Sequence, residues 1–188
     1  MNSYPWNYKL HFKMAKEKKI IGDRIYLREL SVSDATEKYC SWLNDPEVNK
    51  YLETRKATIE DLKNYIQQRV DDPNSLFWGV FDKDSNAHIG NVKLEPIDRQ
   101  KKKAVFGILI GNKDYWGKGI GTEATRLVVD HAFNSMGLEE IELGVIADNK
   151  KAARVYEKAG FKIVEIKEKA INHEGVLYDD IVMVIKNN

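Results

Sequence analysis

The period at which hydrophobic positions recur changes repeatedly along this chain, and each change marks a predicted element. In RIYLREL (24–30), Ile25 and Leu27 alternate with Arg24 and Arg28, the two-residue period of a half-buried strand. SVSDATEKYCSWLNDPEV (31–48) then offers Ser and Asp as caps ahead of Tyr39, Trp42 and Leu43 on one helical face, with Pro46 as its stop. TIEDLKNYIQQRV (58–70) opens with Thr58 and Asp61 at capping-box spacing and carries Ile59, Leu62, Ile66 and Val70 as its stripe. LFWGVF (76–81), HIGNVKLE (88–95) and AVFGILI (104–110) have strand length, with the turn DKDSN (82–86) after the first. Beyond a glycine-rich loop, Ala124, Leu127, Val128, His131, Ala132 and Met136 recur at helical spacing, and Gly137 stands where a left-handed cap belongs. IELGVI (141–146) returns to a period of two, and a short helix runs from Asn149 as N-cap through Ala152, Val155, Tyr156 and Ala159 to Gly160. FKIVEIK (161–167) and VLYDDIVMVI (176–185) close the chain as a predicted hairpin.

Composition narrows the class. The chain has 188 residues, 43% hydrophobic and 31% charged, which suits one globular domain able to bury its own core, with no repeat or linker to divide it. Residues 1–19 lack the apolar stretch of a signal peptide and read as an N-terminal extension, with Trp6, Tyr8 and Phe12 its apolar positions; the domain is expected over 20–188. Thirty basic and 29 acidic residues leave a formal charge of +1, so charge makes no case for nucleic acid or an anionic membrane as partner, and no stretch has the length of a membrane span. Cys40 is the single cysteine, which is consistent with a reducing, cytoplasmic setting and rules out an internal disulfide or multi-cysteine metal site. The four histidines, His11, His88, His131 and His173, have no metal-ligand spacing, no Gly-x-Ser-x-Gly elbow occurs, and no metal is expected.

The candidate chemistry lies in the glycine loop. Gly117, Gly119 and Gly121 connect a strand to a helix, and such a turn presents unpaired backbone N–H groups and the positive end of the helix dipole. Lys118 lies within it, and neither Asp nor Glu occurs from Tyr115 through Thr122. The loop is therefore a candidate pyrophosphate cradle; a tight turn with glycines at positive φ explains the same spacing. Two phosphate motifs fit poorly: a P-loop needs Ser or Thr after Lys118, where Gly119 stands, and a dinucleotide fingerprint needs a glycine at Thr122.

Trp116-Gly117-Lys118-Gly119-Ile120-Gly121 resembles the acetyl-CoA loop of the GNAT acyltransferase superfamily, Arg/Gln-x-x-Gly-x-Gly/Ala, with Trp116 at the first position as in the branch of ribosomal-protein N-terminal acetyltransferases. NKKAARVYEKAGF (149–161) carries the second half of the signature in Asn149, Ala152, Tyr156, Gly160 and Phe161. The resemblance spans about Ile20 to Ile185. It implies an α+β GNAT fold: a mixed, mostly antiparallel sheet of about six to seven strands, flanking helices, and a splay between two central parallel strands.

Function and site follow from the resemblance as expectations. The strand AVFGILI would splay from IELGVI and offer backbone groups at Ile108, Leu109 and Ile110 to the amide-bearing arm of acetyl-CoA, with a backbone N–H near Leu109 polarising the thioester carbonyl. Trp116, Gly117, Lys118, Gly119, Ile120, Gly121 and Thr122 would hold the pyrophosphate, and Asn149, Lys151 and Ala152 would face the cofactor arm, with Lys150 and Lys151 in a first helical turn that disfavours cations unless an anion is bound. Tyr156 is the implied general acid toward the leaving thiolate, a role carried by the family match; it also falls on an apolar stripe, where a purely packed tyrosine is the other reading. Glu95 is the candidate general base, with Asp98 or a water relay as alternatives. NDPEVNKYLETRK (44–56) would line the acceptor cleft through Tyr51, Glu53 and Arg55. The expected acceptor is the primary amine of a nucleotide-linked amino sugar, its diphosphate met by Arg55, Arg99 or Lys101 to Lys103; a ribosomal-protein type N-terminal amine is the alternative. A non-catalytic CoA-binding module and a Rossmann-type nucleotide binder are the competing classes; retention of Tyr156 and Asn149 argues against the first and the strand meander against the second. The resemblance leaves a monomer or homodimer open.

Overall fold

The computed structural model describes residues 19–53, 56–173 and 175–187. The alternation at Ile25 and Leu27 becomes β2 (Ile25–Glu29), with both side chains fully buried. The meander follows as β3 (Leu76–Asp82), β4 (His88–Asp98) and β5 (Lys103–Ile110), then β6 (Glu140–Ile146), and the hairpin of β7 (Lys162–His173) and β8 (Val176–Lys186). A further strand, β1 (Ile20–Ile21), pairs with β2 through Ile20 and Leu27, so the sheet has eight strands among the described residues. Two residues carry no alternation, which is why the pattern along the chain does not reveal β1. The order is β1-β2-β3-β4-β5-β6-β8-β7, and among the described residues β5 with β6 is the one parallel pair.

The helices obey their caps. In α2 (Ile59–Asp71) the Thr58 and Asp61 side chains exchange hydrogen bonds with each other's backbone, the predicted capping box. The first helix is shorter than its apolar pattern suggests. Ser31 and Asp34 close a single 3-10 turn, and α1 (Glu37–Asn44) begins only after Thr36, whose hydroxyl accepts the Tyr39 N–H at 3.2 Å. It ends before Pro46, because Pro disfavours helical backbone in the residue preceding it. α3 (Ile120–Asn134) stops short of Met136, which still packs on the core, and α4 (Lys150–Ala159) completes the set.

Two apolar layers cover the two faces of the sheet. Ala124, Val128 and Ala132 of α3 and Tyr156 of α4 pack with Leu94, Phe106, Ile141 and Leu143 on one face. Tyr39 and Trp42 of α1 and Leu62 and Ile66 of α2 pack with Tyr26, Phe77 and Phe81 on the other. Cys40 is buried in that second layer, as a packed residue would be.

His88 enters the second layer against the Phe81 ring, at 4.8 Å, and edge-on to Tyr39 and Trp42. Its Nε2 lies 2.8 Å from the Gly90 carbonyl, which can only accept, so that nitrogen carries the proton. Burial lowers its pKa from 6.5 to about 4. A histidine held neutral in the fold contributes stability above the unfolded value of 6.5, and that contribution is lost as pH falls toward 4. Urea unfolding at pH 7, 5 and 4 is expected to show a loss of up to about 3 kcal/mol, and His88→Phe to flatten that slope. An equally steep slope in the variant would assign the loss to other groups.

Candidate active site

The parallel pair is a wedge. Only Lys103, Ala104 and Val105 of β5 register with Glu140, Ile141 and Glu142 of β6; thereafter β5 runs on to Ile110 and β6 to Ile146 without pairing. The closed end is pinned by Glu140, whose carboxylate takes Lys103 at 2.6 Å and Lys186 at 3.1 Å, and the Lys103 hydrogen bond is the main cause holding its pKa below the ordinary carboxylate range against burial. The backbone exposed in the wedge follows from strand alternation. Gly111 donates its N–H to the Ile89 carbonyl at 3.0 Å, so the backbone groups of Leu109 also turn toward β4, and those of Ile108 and Ile110 turn toward the side that β6 has left. Ile108 and Ile110 are thus placed as expected, and Leu109 is not: its N–H belongs to the β4 ladder and its side chain packs among the α1 and α2 residues. The nearest backbone groups in the wedge for a carbonyl are those of Ile108 and Ile110.

The glycine loop meets the wedge at its open end. Trp116, in place of Arg or Gln, turns its indole back and donates Nε1–H to the Ile110 carbonyl at 2.6 Å, tying the loop to the end of β5. Gly117 and Gly119 adopt φ of 72° and 80°, a left-handed conformation that favours glycine, and no atom lies within 4 Å of the Cβ position at Gly117. Gly119 is the N-cap of α3, whose first internal bond is from Glu123 N–H to the Gly119 carbonyl at 3.1 Å. The amides of Ile120, Gly121 and Thr122 therefore lie in the unpaired first turn, while the Ile120 side chain is core. Lys118 is exposed beside them.

Arg24 is the residue that reading along the chain missed. It donates from Nη1 to the Lys118 carbonyl at 2.7 Å and from Nε to Glu123 at 2.9 Å, and Glu123 Oε1 accepts the Arg24 N–H at 2.8 Å. With 53% of its side chain exposed, the guanidinium stands at the loop as a second cation and lines a 580 Å³ cleft with Thr122, Arg126 and Lys158. Nothing in the strand pattern around 24 distinguishes an arginine on a solvent face from one docked on a loop 94 residues away.

At α4, Asn149 Oδ1 accepts the Ala152 N–H at 3.2 Å, so the cap exists and the Ala152 amide is already engaged. Lys150 and Lys151 are exposed in the first turn. Tyr156 is 7% exposed and packs edge-on to Phe106, the first β5 residue beyond the pairing, and against Phe161. Its hydroxyl makes no hydrogen bond among the described residues. Burial pushes the phenol up to about 12, so it is protonated throughout the neutral range.

The opposite face of the wedge carries the other expected residues. Tyr51 Oη donates to the Asp148 carbonyl at 3.3 Å, bringing the segment after α1 to the loop that follows β6. Glu53 is exposed, and Arg55 lies outside the described residues. Glu95 is engaged by Arg69 at 3.1 Å and Lys93 at 3.4 Å. Lys101, Lys102 and Lys103 pair with Asp98, Glu139 and Glu140, at or beyond the closed end of the wedge.

Comparison with known proteins agrees with this geometry. Residues 24–162 match the acetyltransferase (GNAT) domain model. A probable N-acetyltransferase of Bacillus subtilis, YjcK, is 35% identical over 173 residues, 88% of this chain and 96% of its own. In fold, a GNAT-family acetyltransferase from Bacillus anthracis superposes with a TM-score of 0.80 at 23% identity, over 89% of this chain and 98% of its own. Spermidine N-acetyltransferase from Vibrio cholerae, in complex with CoA and spermine, gives 0.79 at 24%, over 87% and 95%. The domain match and the fold agreement thus point the same way, and the chain belongs to the GNAT family as an N-acetyltransferase.

Proposed function

We propose that this protein transfers the acetyl group of acetyl-CoA to a primary amine, and that the amine is cationic and polyamine-like. The observation that carries the donor half is the continuity of the wedge: unpaired first-turn amides at Ile120 to Thr122, then the N–H of Ile110 and the backbone of Ile108, left unpaired where β6 departs, then Tyr156 packed on Phe106. The open Cβ position at Gly117 and the cations Arg24 and Lys118 fit a pyrophosphate, and the strand-like backbone fits the pantetheine amides. Acetyl-CoA supplies an acetyl group activated as a thioester with a thiolate leaving group. Tyr156 holds a proton on Oη for that sulfur, and Asn149 fixes the start of the helix that presents Tyr156.

The acceptor half rests on where charge lies. The basic cluster expected to meet a diphosphate is paired with acidic neighbours and sits away from the open end of the wedge, so it gives a nucleotide-linked amino sugar little support. On the acceptor face of the open end, Asp148 follows β6 and Asp179 and Asp180 stand beside it on β8, and such a group of carboxylates suits a cation. The spermine held by the Vibrio cholerae structural relative supports the same reading. As proton acceptor, Glu95 would have to leave its pairs with Arg69 and Lys93. Thiol release from acetyl-CoA, measured with spermidine, short diamines, aminoglycosides, an amino-sugar nucleotide and N-terminal peptides, tests the proposal. Turnover is expected with the polyamines; turnover confined to the sugar nucleotide or to peptides would overturn the acceptor class.

A further inference from the structure

We infer that Asp180 is the acceptor-binding carboxylate, receiving the ammonium group of the amine at the open end of the wedge; this rests on the acetyltransferase reading above. Asp180 registers on β8 with Ile146, the last residue of β6, where β6 is farthest along its course away from the pairing with β5. Residues directly opposite in an antiparallel pair share a face. Along β6, Leu143 and Val145 point into the α3 and α4 layer, so Gly144 and Ile146, and with them Asp180, occupy the other face. The glycine confirms the position: a Cβ at Gly144 would lie 2.9 Å from Asp180 Oδ1 and 3.3 Å from Oδ2. The carboxylate therefore rests over the bare backbone of Gly144, in the space a side chain would fill.

Its chemistry is unsatisfied there. Asp180 Oδ1 is buried and has no hydrogen-bond partner among the described residues. A buried carboxylate oxygen without a donor is costly, which marks the position as one that a cationic donor completes. The neighbours that could answer it are otherwise engaged: Lys167, its register partner on β7, pairs with Glu165 at 3.7 Å. Glu95, the other carboxylate of interest on this face, holds two cations already. The next turn of chain brings Asp180 close to the expected acceptor segment. Ala147 N–H bonds the Asp179 carbonyl at 3.0 Å, and Tyr51 Oη reaches the carbonyl of Asp148, one residue further on.

The test compares Asp180→Asn, Gly144→Ala and Glu60→Gln with the parent, by steady-state kinetics with acetyl-CoA and spermidine and by calorimetry of spermidine on the CoA-loaded protein. Asp180→Asn keeps the shape and removes the charge; it is expected to raise KM and the spermidine Kd at least about tenfold, with CoA affinity and melting temperature unchanged. Gly144→Ala crowds the carboxylate and should move the same two constants in the same direction, whereas Glu60→Gln, at an exposed carboxylate of α2, should leave spermidine binding within about threefold. Spermidine KM and Kd within threefold of the parent in Asp180→Asn would overturn the assignment while leaving the acetyltransferase reading intact. No turnover of any amine by the parent would overturn that reading instead; calorimetry then decides Asp180 separately, with weakened spermidine binding supporting it and equal or absent binding in parent and variant overturning it.

Discussion

Tyr156→Phe is expected to lower kcat by at least about 100-fold while leaving CoA affinity within about twofold and stability nearly unchanged. The ring's contacts with Phe106 and Phe161 survive the substitution, and the hydroxyl has no hydrogen bond among the described residues for the fold to lose. What disappears is the proton on Oη. The pH profile supplies a second readout. With the phenol pushed up to about 12 by burial, its protonated form persists as pH rises, so Tyr156 should impose no alkaline loss of kcat below about pH 11. Steady-state kinetics on parent and variant from pH 6 to 10, with calorimetry for CoA, would check both statements. A variant retaining half the parental kcat would reduce Tyr156 to a packed core residue.

The second large effect is expected at the loop. Gly119 holds φ 80° and ψ 3° as N-cap of α3, and an alanine there pays a left-handed penalty of about 1 to 2 kcal/mol. The added methyl meets only Arg24 Nη2, at 3.5 Å, so the fold itself has room for it. A ligand seated on the first-turn amides does not. Gly119→Ala should therefore weaken CoA binding at least about tenfold, beyond its effect on melting temperature. Gly137→Ala is the matched control: its φ is 68°, its Cβ position has no neighbour within 4 Å, and it lies past the far end of α3. A similar loss of stability with unchanged CoA affinity is expected from it. Equal weakening in both variants would mean that the loop acts only through the stability of α3.

Much of this architecture was legible along the chain because the signals are local. The two-residue period at Ile25 and Leu27, at Ile141, Leu143 and Val145, and the capping box at Thr58 and Asp61 depend on residues only two or three apart. The boundaries of α1 were harder to read: Ser31 and Asp34 have the same spacing as Thr58 and Asp61, and Asp34 accepts the Ser31 N–H, yet they close only a 3-10 turn, and Thr36 is the true start. β1 is two residues long and exists only because β2 offers it an edge.

The site divides in the same way. Gly117, Gly119, Asn149 and Tyr156 could be named from spacing and family resemblance, since loop, cap and stripe are contiguous motifs. Which backbone groups of β5 face the wedge depends on the partner strand: the bond from Gly111 to Ile89 decides that those of Ile108 and Ile110, and not of Leu109, turn that way, and Trp116 then takes the Ile110 carbonyl. Arg24 reaches its loop across 94 residues, Glu95 is taken up by Arg69 of α2, and Asp180 lies over Gly144 through the pairing of β8 with β6. By itself the amino-acid sequence determined most of the elements, the glycine turn that opens α3 and the helix that carries Tyr156, because hydrophobic period, caps and turn glycines act over a few residues. Only the tertiary structure decided which polar groups are engaged and which stand free, because hydrogen bonds and ion pairs are settled by partners that distant chain segments bring.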